Sequence, residues 1–248
     1  MEKIEYQAHF ELEERYWWFR ARRKLAFRLL RRALRGKDGL RILDAGCGTG
    51  INLSGLVRFG SAFGFDFAPE ALAFCRRRGL PDLAQADANR LPCQDESFDL
   101  VTFFDVLYHQ GISDDAALAE AARVLKSGGL ILITDSALEI LRGPHDEAMQ
   151  GARRYDKKGL QVKLDGAGFE VIRIGYFFMT TFPAVYLKRR WERRQAARHP
   201  GTAPHSDLPS SPGRLNGFMA GLLSIEAALA ARWNLPIGSS IVALARKK

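Results

Sequence analysis

The stretch LRILDAGCGTG, residues 40–50, decides the fold. An apolar run from Leu40 to Leu43 ends on Asp44, glycines follow at 46, 48 and 50, and a helical pattern opens near Ile51. This reads as strand, tight turn and helix. Glycine is needed where a backbone takes positive φ or approaches a ligand with no Cβ in the way.

A dinucleotide-binding turn spaces its glycines G-x-G-x-x-G so that pyrophosphate rests on the helix N-terminus. Here the spacing is G-x-G-x-G, and Asp44 stands directly before the turn. A carboxylate there repels pyrophosphate and attracts a cation. An ammonium-bearing ligand, such as the methionyl end of S-adenosylmethionine, fits that charge, and a nicotinamide-dependent oxidoreductase is the disfavoured rival. Two further acids hold matching places: Asp66 ends GFDF and Asp87 ends QAD. Acids closing three successive strands converge on one crevice, the second suited to ribose hydroxyls and the third to an adenine amino group.

Around this core, LRILDA, AFGFDF, DLAQAD, FDLVTFF and GLILIT read as buried strands. NLSGLVRFG, PEALAFCRRRG and SDDAALAEAARVLKSGG read as helices, with Pro69 in a first turn, Ser113 as cap, and Gly79 and Gly128 as stops. Alternating strands and helices imply a doubly wound α/β fold with a parallel sheet. DKKGLQVKLDGAGF then predicts a helix, and FEVIRIGYFF and SSIVALAR two more strands. The segment between those strands holds two helices, PAVYLKRRWERRQAAR and LNGFMAGLLSIEAALAARW, joined by HPGTAPHSDLPSSPG, a composition expected to be flexible. At the other end, periodicity predicts one long helix over residues 11–35, opening ERYWWFRARR, with aromatics packed among arginines. The divisions read as a helical lid over 1–38, a core over 39–178, a helical insertion over 179–235 with its linker at about 199–213, and a last strand with basic tail over 236–248.

The chain's 248 residues, 47% apolar and 26% charged, are ordinary for a globular protein and exclude a collagen-like or disulfide-stapled one. Three cysteines without a C-x-x-C suit a reducing cytosol, and the polar start MEKIEYQAHFELEER is no signal peptide. Net charge is +9, with ten Arg or Lys and no acid in residues 15–37, and six bases against Glu192 in residues 188–198. Such patches suit an anionic membrane surface, a nucleic acid or a phosphorylated substrate.

On these motifs the sequence resembles the class I S-adenosylmethionine-dependent methyltransferases, in their small-molecule subgroup. LDAGCGTG is similar to their first motif, GFDFAPEAL to the second-strand motif, QADANRLPCQDESFDLVTF to the third and fourth strands, and VLKSGGLILI to the fifth. The ERYWWFRARR segment resembles a bacterial branch of that group. The resemblance implies a seven-stranded sheet with its last strand antiparallel. It implies S-adenosylmethionine as cofactor, with Gly46, Gly48 and Gly50 around the methionyl end, Asp66 at the ribose and Asp87 with Ala88 at the adenine; Asp44, Cys47, Phe67 and Phe104 are further cofactor-binding candidates. Ala68 and Lys126-Ser127 depart from the usual pattern without removing a recognised contact.

The catalytic cleft is expected in the run from Phe103 to His109. His109 is the candidate base, since its ordinary pKa lies near neutrality, and Asp105 the candidate group that orients it. Quinone-pathway relatives with a Glu-x-x-Glu-His cluster need an acid where Tyr108 stands, so no metal is expected. Base-modifying enzymes would show Asn/Asp-Pro-Pro-aromatic where this chain has FDVL, and Pro92-Cys93 precedes the fourth strand, at the wrong end of the sheet for a cytosine-C5 nucleophile. Nucleic acid is therefore a disfavoured partner. Tyr16, Trp17, Arg20, Tyr108, His145 and Tyr155 are candidate substrate contacts, with Arg154 beside the last; His9, His199 and His205 receive no role. The function read is methyl transfer to a small-molecule or lipid- or carrier-linked acceptor, in the cytoplasm or at a membrane periphery, with Arg189 and Arg190 facing lipid headgroups. An RNA methyltransferase and a non-catalytic cofactor-binding subunit are the alternatives.

Overall fold

The computed structural model describes residues 3–198 and 206–248. Its centre is a seven-stranded sheet of order β3-β2-β1-β4-β5-β7-β6. The strands are β1 (Leu40–Ala45), β2 (Gly60–Asp66), β3 (Leu83–Gln85), β4 (Phe98–Phe104), β5 (Leu125–Ser136), β6 (Phe169–Phe177) and β7 (Ser240–Lys247). β7 runs antiparallel between β5 and β6, and the pairs from β3 across to β5 are parallel. The doubly wound class and the antiparallel last strand are both as the sequence implied.

Side chains alternate across a sheet, so a strand covered on both faces reads as continuously apolar. Ile42, Leu100 and Leu132 face one layer, made by α2 (Trp17–Ala33), α3 (Ile51–Leu56), α4 (Pro69–Arg77) and α9 (Asn216–Ala230). Leu43, Val101 and Ile133 face the other, made by α5 (Asp114–Val124) and α7 (Lys157–Gly166). Leu25 and Leu30 of α2 and Leu223 of α9 are almost fully buried in the first layer. Truncating any of them to Ala would cost about 2–5 kcal/mol.

Two elements differ from the sequence reading. The long N-terminal helix is broken into α1 (Lys3–Leu12) and α2, with Tyr16 extended at the break. Glu13 lies buried at this elbow, 3.6 Å from Arg78, while Phe19 and Leu25 go into the core; one straight helix cannot serve both surfaces. The Arg78 guanidinium also donates to Thr49 O at 2.9 Å and lies 4.4 Å from the Phe10 ring centre, pinning the elbow to the glycine turn. Second, Gly128 does not stop α5. The helix ends at Val124, and Leu125 pairs with Phe98 to start β5, leaving Gly128 at φ +74° within an irregular strand. Ser113 and Pro69 act as expected: Ser113 Oγ accepts from Ala116 N, and Pro69 opens α4.

α8 (Phe182–Arg198) follows β6, and α6 (Pro144–Ala148) lies after β5. His199, His205 and the first part of the expected flexible linker lie outside the described residues. Among the described residues, no helix is long and apolar enough to cross a membrane.

Candidate functional site

Strand order reverses between β1 and β4, and ligands of such sheets bind beyond the strands' carboxyl ends at that point. A cavity of about 910 Å³ opens there. Its first wall is the glycine turn, fixed to β2 because Gly46 N and Cys47 N both donate to Phe65 O, at 2.7 and 2.8 Å. Gly46, Gly48 and Gly50 all have positive φ, but they do different work. A Cβ on Gly46 would meet Val106, one on Gly50 would meet Leu80 and Cys75, and one on Gly48 would enter open space. Gly46 and Gly48 line the cavity; Gly50, behind them, permits close packing of α4.

Asp66 stands at the turn, accepting from Gly48 N (2.8 Å) and Ala68 N (2.9 Å). A carboxylate offers about four lone-pair sites, so acceptor capacity remains. Burial pushes its pKa up, against these hydrogen bonds. Asp87 and Ala88 continue the wall, Asp87 accepting from Asn89 N at 2.8 Å, and Phe67 projects, largely exposed, at the rim. Asp44 is buried behind the turn rather than on the cavity wall, where it accepts from Thr102 Oγ1 at 2.7 Å. Burial raises its pKa to about 7. Thr49 Oγ1 and Asn52 Oδ1, both on the cavity side, are buried with no hydrogen-bond partner. Two orphaned polar atoms beside an open glycine indicate a wall shaped for a polar ligand.

The floor comes from the loop after β4: Phe104, Asp105, Val106, Tyr108 and His109. Asp105 takes positive φ (56°), with its N–H donating to Thr134 O at 2.8 Å, and ion-pairs with Arg22. Burial pushes His109 down to about 4. The neighbouring backbone at Met149 and Gln150 opposes that shift without cancelling it, so the imidazole is neutral near pH 7 and one ring nitrogen is free of a proton. Tyr108, also on the floor, has its phenol pushed up by burial, so it stays protonated.

The roof is the α1–α2 elbow: Tyr6, His9, Glu13, Tyr16, Trp17, Trp18 and Arg22. Arg22 lies 4.3 Å from the Trp18 ring centre, and Trp18 stacks on Phe178 at 5.7 Å. Burial lowers Arg22 to about 10 and raises Glu13 to about 7. The far wall is His145, Met149, Arg154, Val185, Lys188, Arg189, Asp207 and Leu208. Asp207 ion-pairs with Lys188 and Arg189, and its N–H donates to His145 Nδ1 at 3.1 Å.

Several expectations need correction. Tyr155 is buried away from the cavity, its hydroxyl 3.0 Å from Leu107 O and 2.9 Å from Asp114 Oδ2, where it props the floor loop. Arg20 lies outside the wall, because helical periodicity turns it away when Phe19 and Arg22 face in. Arg189 faces no headgroup: it is 2% exposed and paired with Glu192 and Asp207. His9 was missed. It is half-buried on the cavity side, its pKa driven down to about 3 by desolvation and then by Arg22, and its buried Nε2 has no hydrogen-bond partner. Its spacing from Tyr6 and Glu13 put it on the inward face of α1, which was the available signal.

Residues 43–133 match the family model described as a methyltransferase domain. That stretch of the chain is similar to a methyltransferase domain. A fatty-acid O-methyltransferase of Mycolicibacterium smegmatis is 39% identical over 144 residues, 55% of this chain and 50% of that protein. A phthiotriol/phenolphthiotriol dimycocerosates methyltransferase of Mycobacterium ulcerans is 39% identical over 104 residues, 40% of this chain and 38% of that one. The chain thus spans half the length, or less, of these curated relatives. Among solved structures, the [4+2]-cyclase SpnF superposes with a TM-score of 0.56 at 25% identity, covering 91% of this chain and 80% of that one. The matched methyltransferase segment contains the glycine turn, Asp66, Asp87 and the floor loop, while the elbow, α8 and α9 lie outside it. S-adenosylmethionine is the cofactor that the matched methyltransferase domain implies, and the open Gly48 wall with its orphaned Thr49 and Asn52 atoms fits such a group.

Proposed function

We propose that the protein transfers a methyl group to an apolar small-molecule or lipid-linked acceptor. The observation that carries this reading is the continuity of the cavity. It runs from the glycine turn, past Asp105 and His109, to a second wall of Val185, Met149 and Leu208. The turn end suits a nucleoside, and the far end offers an acceptor the apolar surface of these three residues among His145 and the charged Arg154, Lys188, Arg189 and Asp207. The relatives named for fatty-acid and phthiotriol acceptors support an apolar class.

S-adenosylmethionine, when bound, supplies an activated methyl on a sulfonium. The chain's own work is alignment, exclusion of water and proton removal. Asp66 would hold the ribose hydroxyls and Asp87 the adenine amino group. Asp44, poised near 7, would be drawn to its carboxylate form by a cation near the turn. The elbow aromatics close the cavity from above. His109, held neutral by its burial, would take up the acceptor's proton on its unprotonated ring nitrogen, and Asp105 with Arg22 would fix the floor loop that carries it.

The experiment is incubation with methyl-labelled S-adenosylmethionine and a panel of long-chain carboxylic acids, phenols, quinols, water-soluble amines and a tRNA transcript. Label should enter an organic-soluble product and fall at least about tenfold in His109→Gln. Label in amines or RNA alone would overturn the apolar-acceptor reading.

A further inference from the structure

α2 and α9 run parallel and side by side. Trp17 N donates to Asn216 Oδ1 at 2.9 Å, Lys24 Nζ to Ser224 Oγ at 2.6 Å, Arg28 to Ser224 O at 2.9 Å, and Arg32 to Ala231 O. Their inner faces are core. Their outer faces are of two kinds. On α2 and just beyond it, the outward positions are Arg20, Lys24, Arg28, Arg31, Arg32 and Arg35, and the segment from Trp17 to Lys37 contains no acid. On α9 and its flanks they are Leu215, Phe218, Leu222, Ile225, Leu229 and Trp233, with Leu215, Phe218 and Ile225 all more than 60% exposed. The one acid of α9, Glu226, is buried and turned away to accept from Met179 N and Thr180 N.

We propose that this face docks on an anionic lipid bilayer, the apolar ridge of α9 entering the headgroup layer and the α2 cations meeting lipid phosphates. Exposed large apolar side chains in an unbroken helical row mark an interaction surface in a protein otherwise well packed. Cations bordering such a row are the pattern of helices lying in the bilayer interface. Among the described residues, Lys24, Arg28 and Arg32 bond a hydroxyl and carbonyl oxygens rather than carboxylates, so their charge is uncompensated. Charge also argues against a second copy as occupant. A two-fold interface pairs the same patch with itself and would set one basic α2 near the other. A nucleic acid would use the cations but not the ridge.

The face ends at the site. Trp17, tied to the start of α9, also lines the cavity. A lipid acceptor leaving the bilayer would therefore reach the cavity at Tyr16 and Trp17; this clause rests on the proposed function, whereas docking does not.

The test is co-sedimentation of the full chain with vesicles of phosphatidylcholine alone and of phosphatidylcholine with phosphatidylglycerol, at low and high salt. Two variant sets are compared: Lys24→Glu/Arg31→Glu/Arg35→Glu and Phe218→Ser/Ile225→Ser. The native chain should sediment with the anionic vesicles, be released by salt, and lose at least about tenfold in affinity in either set. Calorimetric binding of S-adenosylhomocysteine should stay unchanged in both sets, which verifies the fold and keeps failure of docking distinct from failure of the methyltransferase reading. Three results overturn the proposal: no sedimentation at low salt, sedimentation indifferent to both sets, or a dimer that Phe218→Ser/Ile225→Ser dissociates.

Discussion

Gly48 and Gly50 sit two residues apart in the same turn, both at positive φ (56° and 86°), yet alanine at each should do opposite things. An L-residue in that region costs about 1–2 kcal/mol. At Gly48 that is the whole stability cost, because a Cβ meets nothing within 4 Å. At Gly50 the Cβ would lie 2.7 Å from Leu80 Cδ1, 2.9 Å from Cys75 Sγ and 3.3 Å from the Cys75 Cα. Overpacking of that kind adds about 1–3 kcal/mol. Thermal unfolding without ligand should therefore show Gly50→Ala losing roughly twice as much as Gly48→Ala, with each kcal/mol shifting Tm by about 2–4 °C in a chain of this size. Cofactor affinity should rank the other way. The methyl of Gly48→Ala would occupy the space assigned to ligand, and its affinity should fall at least about tenfold, or 1.4 kcal/mol. Folded Gly50→Ala should bind within a few-fold of the native chain. Calorimetry with S-adenosylhomocysteine reads both. Native affinity in Gly48→Ala would refute the placement of ligand against this turn.

The remaining predictions concern the floor, the roof and the far wall. His109 stays neutral down to about 4, so the methyl-transfer rate should show no loss attributable to it between pH 8 and 5, and should fall only as pH nears 4; a fall centred on the ordinary 6.5 would contradict that burial. The same group binds more protons unfolded than folded between about 4 and 6.5, so it makes stability rise with pH across that window, and His109→Gln should flatten this part of the stability profile. Deleting residues 1–12 removes α1 but spares the buried α2 residues; the chain should still fold, bind cofactor more weakly and lose cofactor-induced tryptophan quenching, and unchanged affinity would discard the lid. Arg154 donates to both Asp146 oxygens, at 2.8 and 3.1 Å, with both side chains buried; Arg154→Ala should cost about 3–5 kcal/mol in denaturant unfolding by stranding the carboxylate.

The sheet was legible because strands buried on both faces are continuous apolar runs, and glycine turns and caps punctuate them locally. The turn wall of the site was legible for the same reason: Gly46, Gly48, Asp66 and Asp87 take their places from strand ends. What could not be read depends on contacts distant in sequence. The elbow at Glu13–Tyr16 exists because Arg78 is there to receive it. Arg189 looks like surface charge in KRRWERR, and only its meeting with Asp207 across the expected linker makes it part of the far wall. His9 shares a helical face with Tyr6 and Glu13, but that this face turns toward the cavity is set by how α1 folds back over it.

The most direct test of the account is calorimetric titration of the native chain and Asp66→Ala with S-adenosylmethionine, S-adenosylhomocysteine and NADH. The native chain should bind both adenosyl ligands at one site and show no heat with NADH. Asp66→Ala should lose about 1.5–3 kcal/mol, the strength of hydrogen bonds to a charged group. Comparable affinity for NADH, or adenosyl binding indifferent to Asp66, would contradict it.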